Sequence, residues 1–145
     1  MSQAKQGHFA EKHNPERRPD TRVSEAVLAA SSDTALSCVK AHRICVSLHV
    51  TPEETGFTMD YHEIRLVKCQ LGLFGYSPEN RIVKPAETVS PRLEDEIRKH
   101  LEPGGKISCL NLWRIADREG ISRLEAARAC ETLKIKVTAC QLGAF

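Results

Sequence analysis

The chain carries the sequence Cys-Gln-Leu-Gly twice, and the spacing of the two copies constrains its fold more than any other feature. The segment occurs at Cys69–Gly72 and again at Cys140–Gly143, 71 residues later. The same ungapped offset relates Ser37-Cys38 to Ser108-Cys109. A fixed internal repeat indicates that one repeat is the structural module. Modules of about 60 to 70 residues are marginal alone, so we expect the two to pack together or with another chain.

The distribution of charge and of turn-forming residues divides the chain around these repeats. Residues 1–22 hold five basic and three acidic side chains and one large apolar residue, Phe9, which predicts a flexible basic tail. We predict three further segments: a first, degenerate repeat over 23–76, a linker or wing over 77–89, and a second repeat over 90–145.

Composition excludes several classes of protein. No apolar run approaches the roughly 18 to 20 residues that span a bilayer, and the first residues lack the apolar stretch of a secretory signal. We therefore expect a cytoplasmic protein with no membrane contact. The six cysteines include no Cys-x-x-Cys pair and are predicted to be free thiols in a reducing compartment.

Helix signals are clearest in the second repeat. Ser90-Pro91 predicts a helix start, with the apolar stripe Leu93, Ile97 and Leu101 behind it. Ser122 and Glu125 have the spacing of a capping box, which opens another helix. Apolar spacing favours continuing this helix through 134–142, although residues 133–137 also alternate as a strand does. The same choice between helix and strand applies to residues 65–71.

The segment Ile115–Arg128 resembles the helix-turn-helix of bacterial transcriptional regulators. Ala116 is small where the two helices cross, Gly120 suits the turn between them, and a capped helix follows. With a helix over 91–101 in front, the arrangement resembles the three-helix core of winged-helix domains. The resemblance implies a mainly α fold of two tandem helix-turn-helix, winged-helix-like three-helix units, with a possible small β-hairpin wing after the first.

By this resemblance the second repeat reads double-stranded DNA. The residues that would contact DNA lie on its second helix or beside it: Ser122, Arg123, Arg128, Arg118 and Arg114. An arginine that bonds a guanine edge at two points contributes roughly 1 to 3 kcal/mol of base discrimination. The alternatives for this face are a protein contact and a solvated surface.

The first repeat keeps the helix signals but lacks a basic face. The corresponding helix carries Glu53, Phe57 and Asp60, of which Phe57 takes the place of Arg128, and residues 23–89 carry six basic and eight acidic groups. An acidic face with an exposed Phe57 favours a protein partner or self-association. The sequence therefore predicts a DNA-binding transcriptional regulator that assembles through its first repeat. The alternative is a protein-interaction adaptor on a helix-turn-helix scaffold.

A metal site is not expected, although four cysteines and histidines lie close together in the sequence. Cys38, His42, Cys45 and His49 follow helical spacing, but the outer two would lie roughly 16 Å apart along a helix. Four such side chains cannot meet one ion. A Cys/His metal site or thiol sensor remains a minor alternative. We predict no cofactor and no enzymatic activity, because no phosphate loop, nucleophile elbow or HExxH motif occurs.

Overall fold

Helices dominate residues 8–145, which are the residues that the computed structural model describes. The first half contains a 3₁₀ helix (Ala10–Lys12), α1 (Thr21–Ala30), β1 (Ala35–Ser37), α2 (Cys38–Leu48), α3 (Pro52–Tyr61) and β2 (Arg65–Val67). The second half contains α4 (Pro91–Lys99), β3 (Ile107–Ser108), α5 (Cys109–Glu119), α6 (Arg123–Leu133) and β4 (Val137–Thr138). The predicted mainly helical class is confirmed. Across these residues we find no helix that combines the length and the apolarity needed to cross a membrane.

The order of elements repeats with the period of the sequence. In each half, a short strand leads directly into a helix, a second helix follows, and the closing strand pairs in parallel with the first. Left-handed backbone also recurs 71 residues apart. The pairs of positive φ angles are Asp33 and Gly104, Thr34 and Gly105, His49 and Gly120, Glu63 and Lys134, Lys68 and Ala139, and Gly72 and Gly143.

The predicted helix starts agree with the structure. Ser90 accepts a hydrogen bond from the backbone of Leu93 at 3.1 Å, with Pro91 as the first helical residue of α4. The capping box of Ser122 and Glu125 is formed in both directions at the start of α6. These caps satisfy N–H groups that the first turn of a helix leaves open.

The predicted helical continuation through 134–142 is wrong, and residues 65–71, for which helix and strand were both open, contain the strand β2. Lys134 has a φ of 60°, which ends α6, and the chain then enters β4. Residues 135–137 alternate between buried and exposed, as the strand alternative required. β4 pairs with β3, and β2 pairs with β1, so backbone partners from distant sequence decide between the two patterns.

Residues 77–89, for which the sequence left a linker and a β-hairpin wing open, contain no hairpin. All of these residues are described, and none of them lies in a strand. The segment runs as irregular backbone toward α4. Ile82 and Val83 donate backbone hydrogen bonds to Gly72, and Ala86 donates one to Arg128 of α6.

The chain folds into two compact units whose boundaries differ from the predicted repeats. Unit 1 contains the described chain up to Cys69 together with Gln141–Ala144, and unit 2 contains Gln70–Cys140 with Phe145. The Gln-Leu-Gly at 70–72, within the predicted first repeat, therefore belongs to unit 2, and the one at 141–143, within the predicted second repeat, belongs to unit 1.

The paired helices of each unit cross on small side chains. In unit 2, Ala116 of α5 and Ala126 of α6 are fully buried. In unit 1, Cys45 of α2 and Thr55 of α3 occupy the equivalent positions, and the Cys45 thiol donates a hydrogen bond to Thr55 Oγ1 at 3.2 Å. Small residues at both positions permit close approach of the helices, as expected for Ala116 from the sequence.

Candidate functional site

The residues predicted to contact DNA lie on α5 and α6 of unit 2, but the chain itself engages most of them. Arg123 is the clearest case. Its guanidinium lies 3.8 Å from the centre of the Trp113 ring, and its Nη1 donates to Gln70 Oε1 at 2.9 Å. Its Nη2 lies 3.4 Å from a carboxylate oxygen of Asp117. These contacts hold the Arg123 side chain against α5 and Gln70 within unit 2.

Residues 81–86, which we call the second strap, run along the outer side of α6. Arg128 Nε donates to the carbonyl of Lys84 at 3.2 Å, and the Ala86 N–H donates to the carbonyl of Arg128 at 3.2 Å. Thr132 Oγ1 donates to the carbonyl of Ala86 at 2.6 Å. The second strap thus occupies the helix face on which Arg128 was predicted to approach DNA.

Burial along α6 agrees with this cover. Ala127, which the resemblance assigns to the DNA-facing side, is only 1 % exposed, and Val83 of the second strap is buried. Arg81 at the start of the strap forms an ion pair with Glu131 of α6.

The remaining predicted DNA contacts differ in their availability. Ser122 is exposed, but its hydroxyl is used in the capping box. Arg118 lies 3.4 Å from a carboxylate oxygen of Glu96. Arg114 is exposed, and its side chain forms no hydrogen bond or ion pair with any described part of the chain. Arg114 is therefore the one predicted arginine that the described residues leave available.

The acidic face predicted on α3 is covered in a similar way. Residues 9–17, which we call the first strap, lie against this helix. Phe57 is 3 % exposed, which contradicts the expectation of an exposed ring. The Arg17 guanidinium lies 3.7 Å from the centre of the Phe57 ring, and the His13 ring meets its edge at 4.8 Å. Cation–π and edge-to-face contacts of this kind favour the docked strap.

Carboxylates on α3 bind the first strap through ion pairs. Asp60 Oδ2 lies 3.1 Å from Lys12 Nζ and 2.8 Å from His13 Nε2. Arg17 donates to Glu54 at 3.1 Å. Of the three residues predicted to meet a partner on α3, Glu53 is exposed, whereas Phe57 and Asp60 contact the strap.

The beginning of the strap is held by Glu63, which follows α3. Its two carboxylate oxygens accept the backbone N–H groups of Phe9 at 2.9 Å and Ala10 at 3.2 Å. Burial opposes ionisation of Glu63, but these backbone hydrogen bonds outweigh it and lower the pKa of the carboxyl. Residues 9–17 thus have specific partners that a flexible tail would lack. Lys5, the first basic residue of the predicted tail, lies outside the described residues.

Five of the six cysteines are buried. Cys38, Cys69 and Cys109 are buried, whereas Cys140 is partly exposed, so the repeated pairs are not fully equivalent. Burial raises the pKa of the Cys45 thiol and raises the pKa of Cys130 to about 12, which keeps both protonated at neutral pH. Among residues 8–145, no group of three or more His, Cys, Asp or Glu side chains is arranged to hold a metal ion.

Sequence reasoning missed the two straps, although one signal for them was present. Gly56 of α3 and Ala127 of α6 are equivalent positions 71 residues apart, each next to a predicted contact residue, Phe57 or Arg128. Very small side chains on a face that should carry contact residues indicate a close neighbour. Both positions are buried in the structure.

Comparison with protein-family models, with curated proteins and with solved structures found no match to this chain.

Proposed function

We propose that this chain is a protein-interaction module built on a helix-turn-helix scaffold. The observation that carries the proposal is the cover on both second helices: the first strap lies on α3 and the second strap on α6. A helix that enters the major groove needs an open face, because its side chains must reach base edges. Here α3 and α6 use those faces to bind other parts of the same chain.

The remaining surface of the first repeat supports a protein partner. Val46 on α2 is 75 % exposed. Val39, about two helical turns earlier on the same side of α2, is 37 % exposed. The position equivalent to Val46 in the second repeat is Asp117, so the two repeats differ here in polarity. Lys40 and Arg43 lie on the same exposed side of α2. An apolar stripe flanked by basic groups fits a protein surface of acidic character.

A DNA-binding function is the second candidate, and Arg114 is the observation that favours it. The side chain is exposed on α5. Residues 90–145 also carry ten basic and eight acidic groups.

Substitution of matched arginines separates the two functions. Arg114→Ala and Arg43→Ala change equivalent exposed positions of the two repeats. For an interaction module, we expect neither variant to alter DNA affinity more than about twofold in a salt-series titration on genomic fragments. A DNA reader would lose roughly five- to 100-fold affinity in Arg114→Ala alone, since a base contact contributes roughly 1 to 3 kcal/mol. That result would contradict the interaction module and favour the DNA-binding function.

Val46→Asp tests the interaction surface directly. The substitution copies the residue found in the second repeat, so we expect the fold to be retained. Partners captured from a cell extract and then purified should bind Val46→Asp at least tenfold more weakly than the wild type. Ser47→Asp adds the same charge at the next exposed residue and should change affinity by much less. Equal affinity of a purified partner for Val46→Asp and wild type would exclude this face of α2 as the partner-binding surface. Failure to capture any partner would count against the proposal that the chain is a protein-interaction module.

A further inference from the structure

The two Gln-Leu-Gly segments are held in closely similar ways by the two units. Leu142 is 5 % exposed within unit 1, and Leu71 is fully buried within unit 2. The glycine after each leucine is left-handed, with φ of 86° at Gly143 and 75° at Gly72. Side chains other than glycine rarely adopt this conformation. Each unit therefore holds a buried leucine followed by a glycine turn.

Helix α3 of unit 1 leaves room for the backbone of this segment. A Cβ added at Gly56 of α3 would lie 2.0 Å from the carbonyl oxygen of Leu142. The helix and the segment therefore touch directly, and only glycine leaves room for the contact. In unit 2 a Cβ added at Gly72 would lie 2.7 Å from Cδ1 of Leu124 on α6.

In both units the strap donates hydrogen bonds to the glycine carbonyl. Lys12 Nζ of the first strap donates to the Gly143 carbonyl at 3.2 Å. Val83 of the second strap and its neighbour Ile82 donate their backbone N–H groups to the Gly72 carbonyl at 3.1 and 2.9 Å. In each unit a helix, a strap and a Gln-Leu-Gly segment thus meet, although the atoms in contact differ between the two units.

We propose that unit 1 contains a binding site for a Gln-Leu-Gly turn, and that a second copy of this chain can supply the occupant in place of the chain's own Gln141–Ala144. The site recognises a leucine side chain, a left-handed glycine and its carbonyl oxygen. Every copy of the chain carries the segment that this site holds, and Gly143 and Ala144 are exposed. One buried leucine is a small anchor, so a tethered and an incoming segment compete mainly through effective concentration.

A peptide titration tests the site. The probe is a labelled synthetic peptide with the sequence of residues 139–145 carrying Cys140→Ser, and the protein is the full chain with Leu142→Ala, which removes the internal anchor. We expect this variant to bind the probe at least tenfold more tightly than the wild type, whose own segment competes. Adding Gly56→Ala to the variant should abolish binding, and a probe with alanine for leucine should not bind.

Two outcomes would overturn the site. One is a folded Leu142→Ala chain that binds the probe no better than the alanine probe does. The other is equal binding with and without Gly56→Ala.

Exchange between copies has a separate measurement that needs no variant to fold. Wild-type chains with two different mass tags are mixed at high concentration and analysed by native mass spectrometry. We expect mixed dimers whose fraction falls at least tenfold when excess peptide is added. Absence of mixed dimers, or mixed dimers that excess peptide leaves unchanged, would overturn the second copy as occupant.

Discussion

Replacing Phe57 with alanine is expected to lower the free energy of unfolding by about 3 to 5 kcal/mol. The ring is 3 % exposed, and it contacts both Arg17 and His13 of the first strap. The substitution removes the burial of an aromatic side chain and also the surface on which the strap docks. Urea denaturation followed by circular dichroism measures the change.

Hydrogen exchange gives this prediction a second readout. Backbone amides of Phe9 and Ala10 donate to Glu63, so we expect their exchange to accelerate in Phe57→Ala once the strap is released. Val46→Ala is the control, because a side chain 75 % exposed should change stability by no more than about 0.5 kcal/mol. A loss below about 1 kcal/mol in Phe57→Ala would show that the ring is not part of the core.

Gly56→Ala is expected to destabilise the protein by about 2 kcal/mol or more. In a helix interior, glycine to alanine ordinarily stabilises by about 1 kcal/mol. Here the new methyl group would lie 2.0 Å from the carbonyl oxygen of Leu142, and a backbone atom cannot move away as a flexible side chain would. Expulsion of the segment exposes Leu142, whose burial contributes about 1.5 to 3 kcal/mol. The steric clash therefore outweighs the gain in helix propensity, and the net effect is a loss of stability.

A control separates this clash from other effects of glycine replacement. Gly104 has a φ of 95° with nothing within 4 Å of an added Cβ, so Gly104→Ala tests backbone strain alone, at about 1 kcal/mol. Combining Gly56→Ala with Leu142→Ala should cost less than the sum of the single changes, because both release the same segment. A Gly56→Ala chain as stable as the wild type would mean that Leu142 does not lie on α3.

The cover on α3 and α6 gives the proposed function its physical basis. Release of the second strap from α6 would break the hydrogen bonds of Arg128 and Thr132 to it and expose Val83 and Ala127. DNA would have to supply contacts that offset these losses before it gained any base readout. Protein contacts on α2 require no such release, since Val39 and Val46 are already exposed.

Local sequence signals predicted helix starts well because the residues that form a cap are neighbours in the chain. Ser90 with Pro91, and Ser122 with Glu125, satisfy backbone groups within three residues of themselves. Left-handed glycines after helices were equally readable, as at Gly120. By contrast, the segment after α6 carried both helical and strand periodicity. Only its parallel partner β3, about 30 residues earlier in the chain, selected the strand.

The surface around the candidate site was less predictable. Arg123 and Arg128 have the spacing of DNA contacts, and that spacing says nothing about what else packs on the same helix face. Phe57 is aromatic on a polar face, which fits a partner site, but the first strap supplies the partner from residues 9–17. Proximity between a strap and a helix depends on the path of the chain through space, and composition and periodicity do not record that path.

By itself, then, the sequence determined the period of 71 residues, the helix caps and the left-handed turn at Gly120, because each is an interaction among residues close along the chain or a repetition of residues in the sequence. Tertiary structure alone decided that each Gln-Leu-Gly segment belongs to the unit formed by the other repeat, and that both straps cover their helices. These arrangements join residues far apart in sequence. Their free energy comes from burial and from backbone hydrogen bonds, which become available only when the chain has folded.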